Sequence, residues 1–394
     1  MKLPDVAVPA GMVWSSPFAK WQGSLGGVSS LDVAAAVTSR ALADRGLAPE
    51  RLTGLVLGWS VPQPEIFYGT PLLAARIGAE GLTGPMVSQA CATSVAALQA
   101  AATTTADGDV RLVVATDRTS NGPTLVYPDP NGQGGAPTST HWVLDSFSRD
   151  PWAGSSMIAA GDLVGREGGF TRQQADELKV LRHEQYTSAL AEGRAFQRRY
   201  MVPVEVGSGR RAVTLEADEG IRSVDLESIA GLRTVDPEGI HTFATQTHPA
   251  DGCAGAVVAT TGAARELSGG EGVVRLLATG TARVGRSRMP EAPVPAAREA
   301  LADAGLTMED VDLVTTHNPF AVNDLYFSRE SGYPLERMNV RGSSLVFGHP
   351  QGPTGLRSIA ELVEELRLRG GGTGLFTGCA AGDSGMALVV RVED

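Results

Sequence analysis

Cysteine is scarce in this 394-residue chain: Cys91, Cys253 and Cys379 are odd in number, far apart and without a CxxC pair. That excludes a disulfide framework and a Cys-rich zinc site, and suits a reducing cytosol, so a cytoplasmic location is expected. The six histidines show no HxH or HExxH spacing, and no metal site is expected. No apolar run approaches the roughly 18 residues of a membrane span. Lys2 is followed by Pro4 and Asp5 rather than by an apolar stretch, so no signal peptide is expected. Positive charge is in deficit, 33 Lys and Arg against 44 Asp and Glu. With no clustered basic face, sustained nucleic-acid binding is excluded, while a small anionic ligand held by a few local cations is not. No strand leads into GxGxxG with an acidic residue about 20 positions on, which disfavours a dinucleotide-binding fold. Aromatics are few, at 5%, whereas glycine is abundant, at 48 residues. Small residues permit close packing and tight loops, as a layered α/β protein needs.

Short apolar runs alternate with longer helical ones, the pattern of buried strands joined by helices. Strands are expected at Gly54–Gly58, Pro85–Gln89, Val110–Ala115, Gly255–Thr260, Val273–Gly280, Leu313–Thr316, Ser343–Phe347, Thr373–Thr377 and Met386–Val392. Helices are expected at Ser30–Asp44, Cys91–Thr105, Arg172–Arg199, Pro293–Ala304 and Gly355–Arg369. Thr171 and Gln174 have the spacing of a capping box at the start of the third. The order of elements repeats. Strand, Cys91, small-residue helix, strand in the first half is answered by strand, Gly348-His349-Pro350, helix, strand, Cys379 in the second. The chain therefore divides into an N-terminal half of residues 1–118 plus 235–265, a C-terminal half of residues 266–394, and a loop-rich, then helical, insertion over 119–234. Long insertions in compact domains usually carry function.

Four strand-end segments carry the chemistry. Cys91, at a helix N-terminus, meets unpaired N–H groups and the positive dipole end, which are expected to lower its pKa. His349 sits on a stiff Gly-His-Pro turn, fit to serve as a base. Cys379 precedes the Ala380-Ala381-Gly382 loop, whose N–H groups can bind an oxyanion. His317 opens a fourth polar cluster, His317-Asn318-Pro319-Phe320-Ala321-Val322-Asn323-Asp324.

With these motifs in this order, the sequence resembles the thiolase family almost from end to end. Ser16-Pro17-Phe18-Ala19-Lys20 is similar to the family's opening segment, and Cys91-Ala92-Thr93-Ser94 to its nucleophile motif. Glu216–Arg222 and Thr242–Gly252 are similar to its coenzyme A loops, and Gly348-His349-Pro350 and Cys379-Ala380-Ala381-Gly382 to its C-terminal catalytic motifs. His317, where Asn-Glu-Ala-Phe is common, resembles the sterol-carrier-associated and archaeal-type members. Thr93-Ser94 and Ala380-Ala381 also depart from the usual motifs, which bears on the acyl substrate.

The resemblance implies a duplicated five-layer αβαβα fold and reversible Claisen condensation and thiolysis of 3-ketoacyl-CoA. Cys91 would carry the acyl group, His349 would take its proton, and Cys379 would move the α-proton. His317 with His349 would bind one oxyanion, and the backbone N–H groups of Cys91 and Ala381 the other. Arg222, Thr247, Met157 and Phe320 match coenzyme A-binding positions. Coenzyme A thioesters would be substrates, with no further cofactor, and the protein would be a homodimer or homotetramer. Two alternatives remain at this point. One is a ketoacyl-synthase-like or hydroxymethylglutaryl-CoA-synthase-like condensing enzyme, which needs no second thiol. The other is a weakened acyl-CoA-binding subunit partnered by an OB-fold protein.

Overall fold

The computed structural model describes residues 1–393, with the backbone alone at Arg211. The first half contributes β1 (Val6–Pro9), β2 (Gly54–Gly58), β3 (Met86–Val87), β4 (Val110–Arg118) and β5 (Ala250–Thr260). The second contributes β6 (Val273–Arg283), β7 (Leu313–His317), β8 (Gly372–Ala380) and β9 (Ser384–Glu393). The strand order is β7-β8-β9-β6-β1-β5-β4-β2-β3, with β1 antiparallel to both β5 and β6 and so joining the halves. Away from that seam the halves mirror each other. In each, an antiparallel pair (β5 with β4, β9 with β8) is extended by a parallel strand (β2, β7). Parallel β3 then extends the first half, and a single parallel bridge from Val314 to Met338 stands in its place in the second.

Five layers follow. Helix α1 (Ser30–Asp44) packs outside β4 and β5, and α4 (Pro293–Ala304) packs outside β6, β8 and β9. Between the two halves of the sheet lie α2 (Thr93–Thr104) and α5 (Thr354–Leu368), in mutual contact. The apolar face of α5 faces the strands, yet the helix is buried all round from Thr354 to Leu366. Its polar face is buried because the segment between β4 and β5 grips it: Arg357 forms a two-pronged ion pair with Asp218, at 2.6 and 2.7 Å. Glu361 accepts from the Tyr200 hydroxyl at 2.7 Å, and Glu364 from Arg199 at 2.7 Å. Charges without such partners would make this burial unaffordable. The central helix is thus tied to the segment that joins β4 to β5.

Several expected elements differ. Ser343–Phe347 is not a strand: Ser344–Phe347 is one helical turn, closed by Val346 and Phe347 N–H groups on the Ser343 carbonyl. A short buried apolar run fits either geometry. Pro85–Gln89 shortens to Met86–Val87. The helix expected to reach Arg199 is α3 (Arg172–Ala189), entered through the Thr171–Gln174 capping box. It ends early because Glu192, Gly193 and Arg194 take left-handed backbone. No described helix is long and apolar enough to cross a membrane.

Candidate active site

Cys91 stands on an elbow. β3 delivers the chain to Ala90, whose φ of +45° is the left-handed region that alanine rarely occupies. A single 3-10 turn, Ala90–Ala92, then leads into α2. The Thr93 hydroxyl holds the bend, accepting from Gln89 N–H at 2.9 Å and donating to the Ala90 carbonyl at 2.7 Å. Strain kept in place by such local bonds is characteristic of functional turns.

His349 follows the helical turn Ser344–Phe347 through Gly348, whose φ is +88°; a Cβ there would lie 2.7 Å from His248 Nε2. Beyond it Gln351 also has positive φ, and Gly352 donates to the buried Asp117 carboxylate at 2.8 Å. The same carboxylate accepts from Ser60 and Val61 N–H groups, at 2.8 Å each. Asp117 therefore fastens the second-half histidine turn to the first-half sheet, and burial pushes its carboxyl up to about 7. His349 Nδ1 lies 2.6 Å from Thr354 Oγ1, and Nε2 lies 3.2 Å from Cys91 Sγ.

His317 closes β7, and its ring stacks on that of His349 with centroids 4.0 Å apart. Its Nδ1 lies 3.0 Å from Ser344 Oγ, while Nε2 is buried without a partner. The Ser344 hydroxyl donates to Asn318 Oδ1 at 3.1 Å, so in this arrangement His317 Nδ1 donates and Nε2 carries a lone pair. Beneath the turn, Asp324 accepts from Thr316 at 2.5 Å, Asn318 at 2.7 Å and Arg182 at 2.8 Å. Asp324 and Arg182 are fully buried.

Cys379 is the penultimate residue of strand β8, which runs three residues beyond the expected Thr377, and Asn323 Nδ2 donates to its sulfur at 3.3 Å. Asp383, with φ of +55°, turns the chain back into β9. Its carboxylate accepts from Ser287 and Arg288 N–H groups at 3.0 and 2.9 Å. This short turn brings the Ala381 amide to Cys91, where it favours the thiolate.

Burial outweighs that help. It pushes the Cys91 thiol up to about 12, against the lowering expected from its helix N-terminus. Burial also raises the Cys379 thiol, and the nearby Cys91 adds to the effect. Cys379 is thus held above the ordinary thiol range. Burial lowers His317 to about 3, and holds His349 well below the ordinary imidazole range, with His317 adding repulsion. The resting site is thus neutral: two thiols and two uncharged imidazoles. Cys253, by contrast, is a buried core residue.

A cavity of about 470 Å³ opens onto Cys91 and His349, and Met157, Thr247 and Phe320 line it. Thr247 is fixed by its N–H to the Pro319 carbonyl at 2.7 Å and its hydroxyl to the Ser344 carbonyl at 2.5 Å. Arg222 does not line the cavity. It is exposed, near the lining residue His248, which burial and the Lys179 and Arg222 charges push down to about 4. Sequence reasoning assigned no role to Gln351, whose Oε1 lies 3.4 Å from Cys91 Sγ, nor to Asn323 on Cys379. Phe243, within the Thr242–Gly252 stretch similar to a coenzyme A loop, lines the cavity yet remains 81% exposed. Asn323 stands within the quoted His317–Asp324 cluster and Gln351 directly follows Gly348-His349-Pro350, and their polarity beside buried apolar residues was the available signal.

Comparison with known proteins agrees with this architecture. The family models for the thiolase N-terminal and C-terminal domains match residues 8–262 and 271–392. The 3-ketoacyl-CoA thiolase of Cronobacter sakazakii is 32% identical, covering 98% of this chain and 97% of its own. The acetyl-CoA acetyltransferase of Allochromatium vinosum is 28% identical, covering 98% of both. Among solved structures, the Bacillus anthracis acetyl-CoA acetyltransferase superposes with a TM-score of 0.90 at 25% identity, covering 99% of both chains. With the family models matching both halves and the reactive turns converging on one cavity, the chain belongs to the thiolase family.

Proposed function

We propose that the protein is an acyltransferase catalysing reversible thiolysis of 3-ketoacyl-CoA through an acyl-Cys91 intermediate. The observation that carries this reading is the 3.2 Å approach of His349 Nε2 to Cys91 Sγ, with Cys379 near enough for Cys91 to perturb it. In the degradative direction Cys91 attacks the 3-keto carbon as His349 accepts the thiol proton. The C2–C3 bond breaks, and the acetyl-CoA enolate takes a proton from Cys379. The thiol of free CoA then displaces Cys91 from the acyl group, restoring both thiols. Because the resting pair is neutral, proton transfer accompanies attack rather than preceding it.

The tetrahedral oxyanion is assigned to the N–H groups of Cys91 and Ala381, and the enolate oxygen to His317 and His349. In its other tautomer, with the proton on Nε2, His317 can donate to that oxygen while the Ser344 hydroxyl turns from Asn318 to donate to Nδ1. Met157, Thr247 and Phe320 are read as walls of the thioester channel, and Arg222 as the cation near its mouth. Residues 119–234 serve as the substrate-covering insertion on a first half of residues 1–118 and 235–265. Exposed Phe67, Tyr68 and Met86 beside edge strand β3 support a homodimer.

The test is turnover by the purified chain alone of a panel of 3-ketoacyl-CoA esters of varied length, with free CoA. CoA-dependent loss of at least one ester is expected. No turnover of any ester would overturn the reading.

A further inference from the structure

One thiol sulfur and one nitrogen from each of two imidazoles, on Cys91, His317 and His349, lie within 4.8 Å of one another, and all three residues are buried. That is the donor set of a three-ligand zinc site: thiolate and imidazole, with a fourth position left for a small molecule. The protonation pattern fits as well as the elements do. His317 donates through Nδ1 to Ser344, leaving the Nε2 lone pair buried and without a partner. His349 has Nδ1 on Thr354 and turns Nε2 toward the sulfur. Ligating histidines are held in this way, by a bond from the remote ring nitrogen that fixes tautomer and ring plane. A tetrahedral ion with Zn–S near 2.3 Å and Zn–N near 2.0–2.1 Å needs its donors roughly 3.3–3.6 Å apart, so the set closes by shifts of about 1 Å together with rotation of the two stacked imidazoles, whose planes lie 28° apart, to aim both lone pairs at the ion.

We propose that Cys91, His317 and His349 form a reversible inhibitory site for a borderline-soft divalent cation, Zn²⁺ in particular. Binding replaces the Cys91 thiol proton, which leaves to solvent, with a sulfur–metal bond, and two imidazole lone pairs complete the protein's share. The ion enters through the cavity that Cys91 and His349 line. It occupies the nucleophile and its base together, so binding and acyl transfer exclude each other. The hard cation Mg²⁺, which favours oxygen donors, is not expected to bind there. Coordination requires only these three side chains, so its failure would leave the proposed thiolysis untouched.

The experiment titrates the full chain, freed of metal, with Zn²⁺ and with Co²⁺ as a spectroscopic stand-in. Expected are one metal per chain, release of about one proton, and a thiolate-to-cobalt charge-transfer band. Zn²⁺ should also protect Cys91 of the unaltered protein from alkylation, with EDTA removing the protection and Mg²⁺ giving none. His317→Asn should weaken Zn²⁺ binding by more than about 100-fold, beyond the usual loss of an outer partner. Cys91→Ser should abolish the charge-transfer band, and Cys379→Ser should retain it. Circular dichroism checks the fold of each variant, and the alkylation measurement needs no variant. Absence of protection with no saturable binding, or unchanged affinity in folded His317→Asn, would overturn the proposal. So would a charge-transfer band that survives Cys91→Ser.

Discussion

The two halves share one strand arrangement but close it differently. In the second, the antiparallel strands β8 and β9 are joined by the tight turn Ala381–Asp383. In the first, the corresponding strands β4 and β5 are parted by residues 119–249, which contain α3 and a wall of the cavity. The short turn sets a backbone amide against the partner half's cysteine; the long connection covers the same spot and grips the central helix. Their cysteines diverge accordingly. Cys91 sits on a strained elbow with His349 3.2 Å away, whereas Cys379 ends a regular strand with Asn323 as its donor. The two tasks proposed for this one side chain match its neighbours: an imidazole able to take a proton beside Cys91, and an amide donating to the sulfur of Cys379.

That contrast can be broken at the neighbours. Replacing His349 with Asn should slow thiolysis by about 10³-fold, within the range for a lost general base. It should also slow alkylation of Cys91 while leaving that of Cys379 unchanged, as peptide mapping would resolve. Asp324→Asn removes the counter-charge of fully buried Arg182. Breaking such a pair costs about 3–5 kcal/mol, to be read as a lower urea midpoint, and the His317 turn should loosen with it. Asn323→Ala should spare acylation of Cys91 but slow hydrogen–deuterium exchange at C2 of acetyl-CoA by about 10- to 100-fold, the worth of one bond to a charged group.

Much of this was legible in the sequence because reactive residues stood next to chain-turning ones. Gly348 and Pro350 around His349, and the small residues after Cys379, signalled turns at strand ends; the repeated order of elements signalled the mirrored halves. Electrostatics was less legible. The helix N-terminus before Cys91 suggested a lowered pKa, but burial depends on residues more than 250 positions away, such as His349 and Gln351, and it dominates. Arg222 shows the same limit, since its motif match says nothing of the exposed position it takes. Ser343–Phe347 was misread because an apolar run of that length has no period of its own, and only the contacts around it make it helical.

The division of labour between the sulfurs is tested most directly by intact-mass spectrometry after brief exposure of single variants to 3-ketoacyl-CoA or acetyl-CoA. The account predicts that Cys379→Ala accumulates one covalent acyl group, mapped to Cys91, whereas Cys91→Ala accumulates none. An acyl group found on Cys379, or acylation persisting without Cys91, would contradict it.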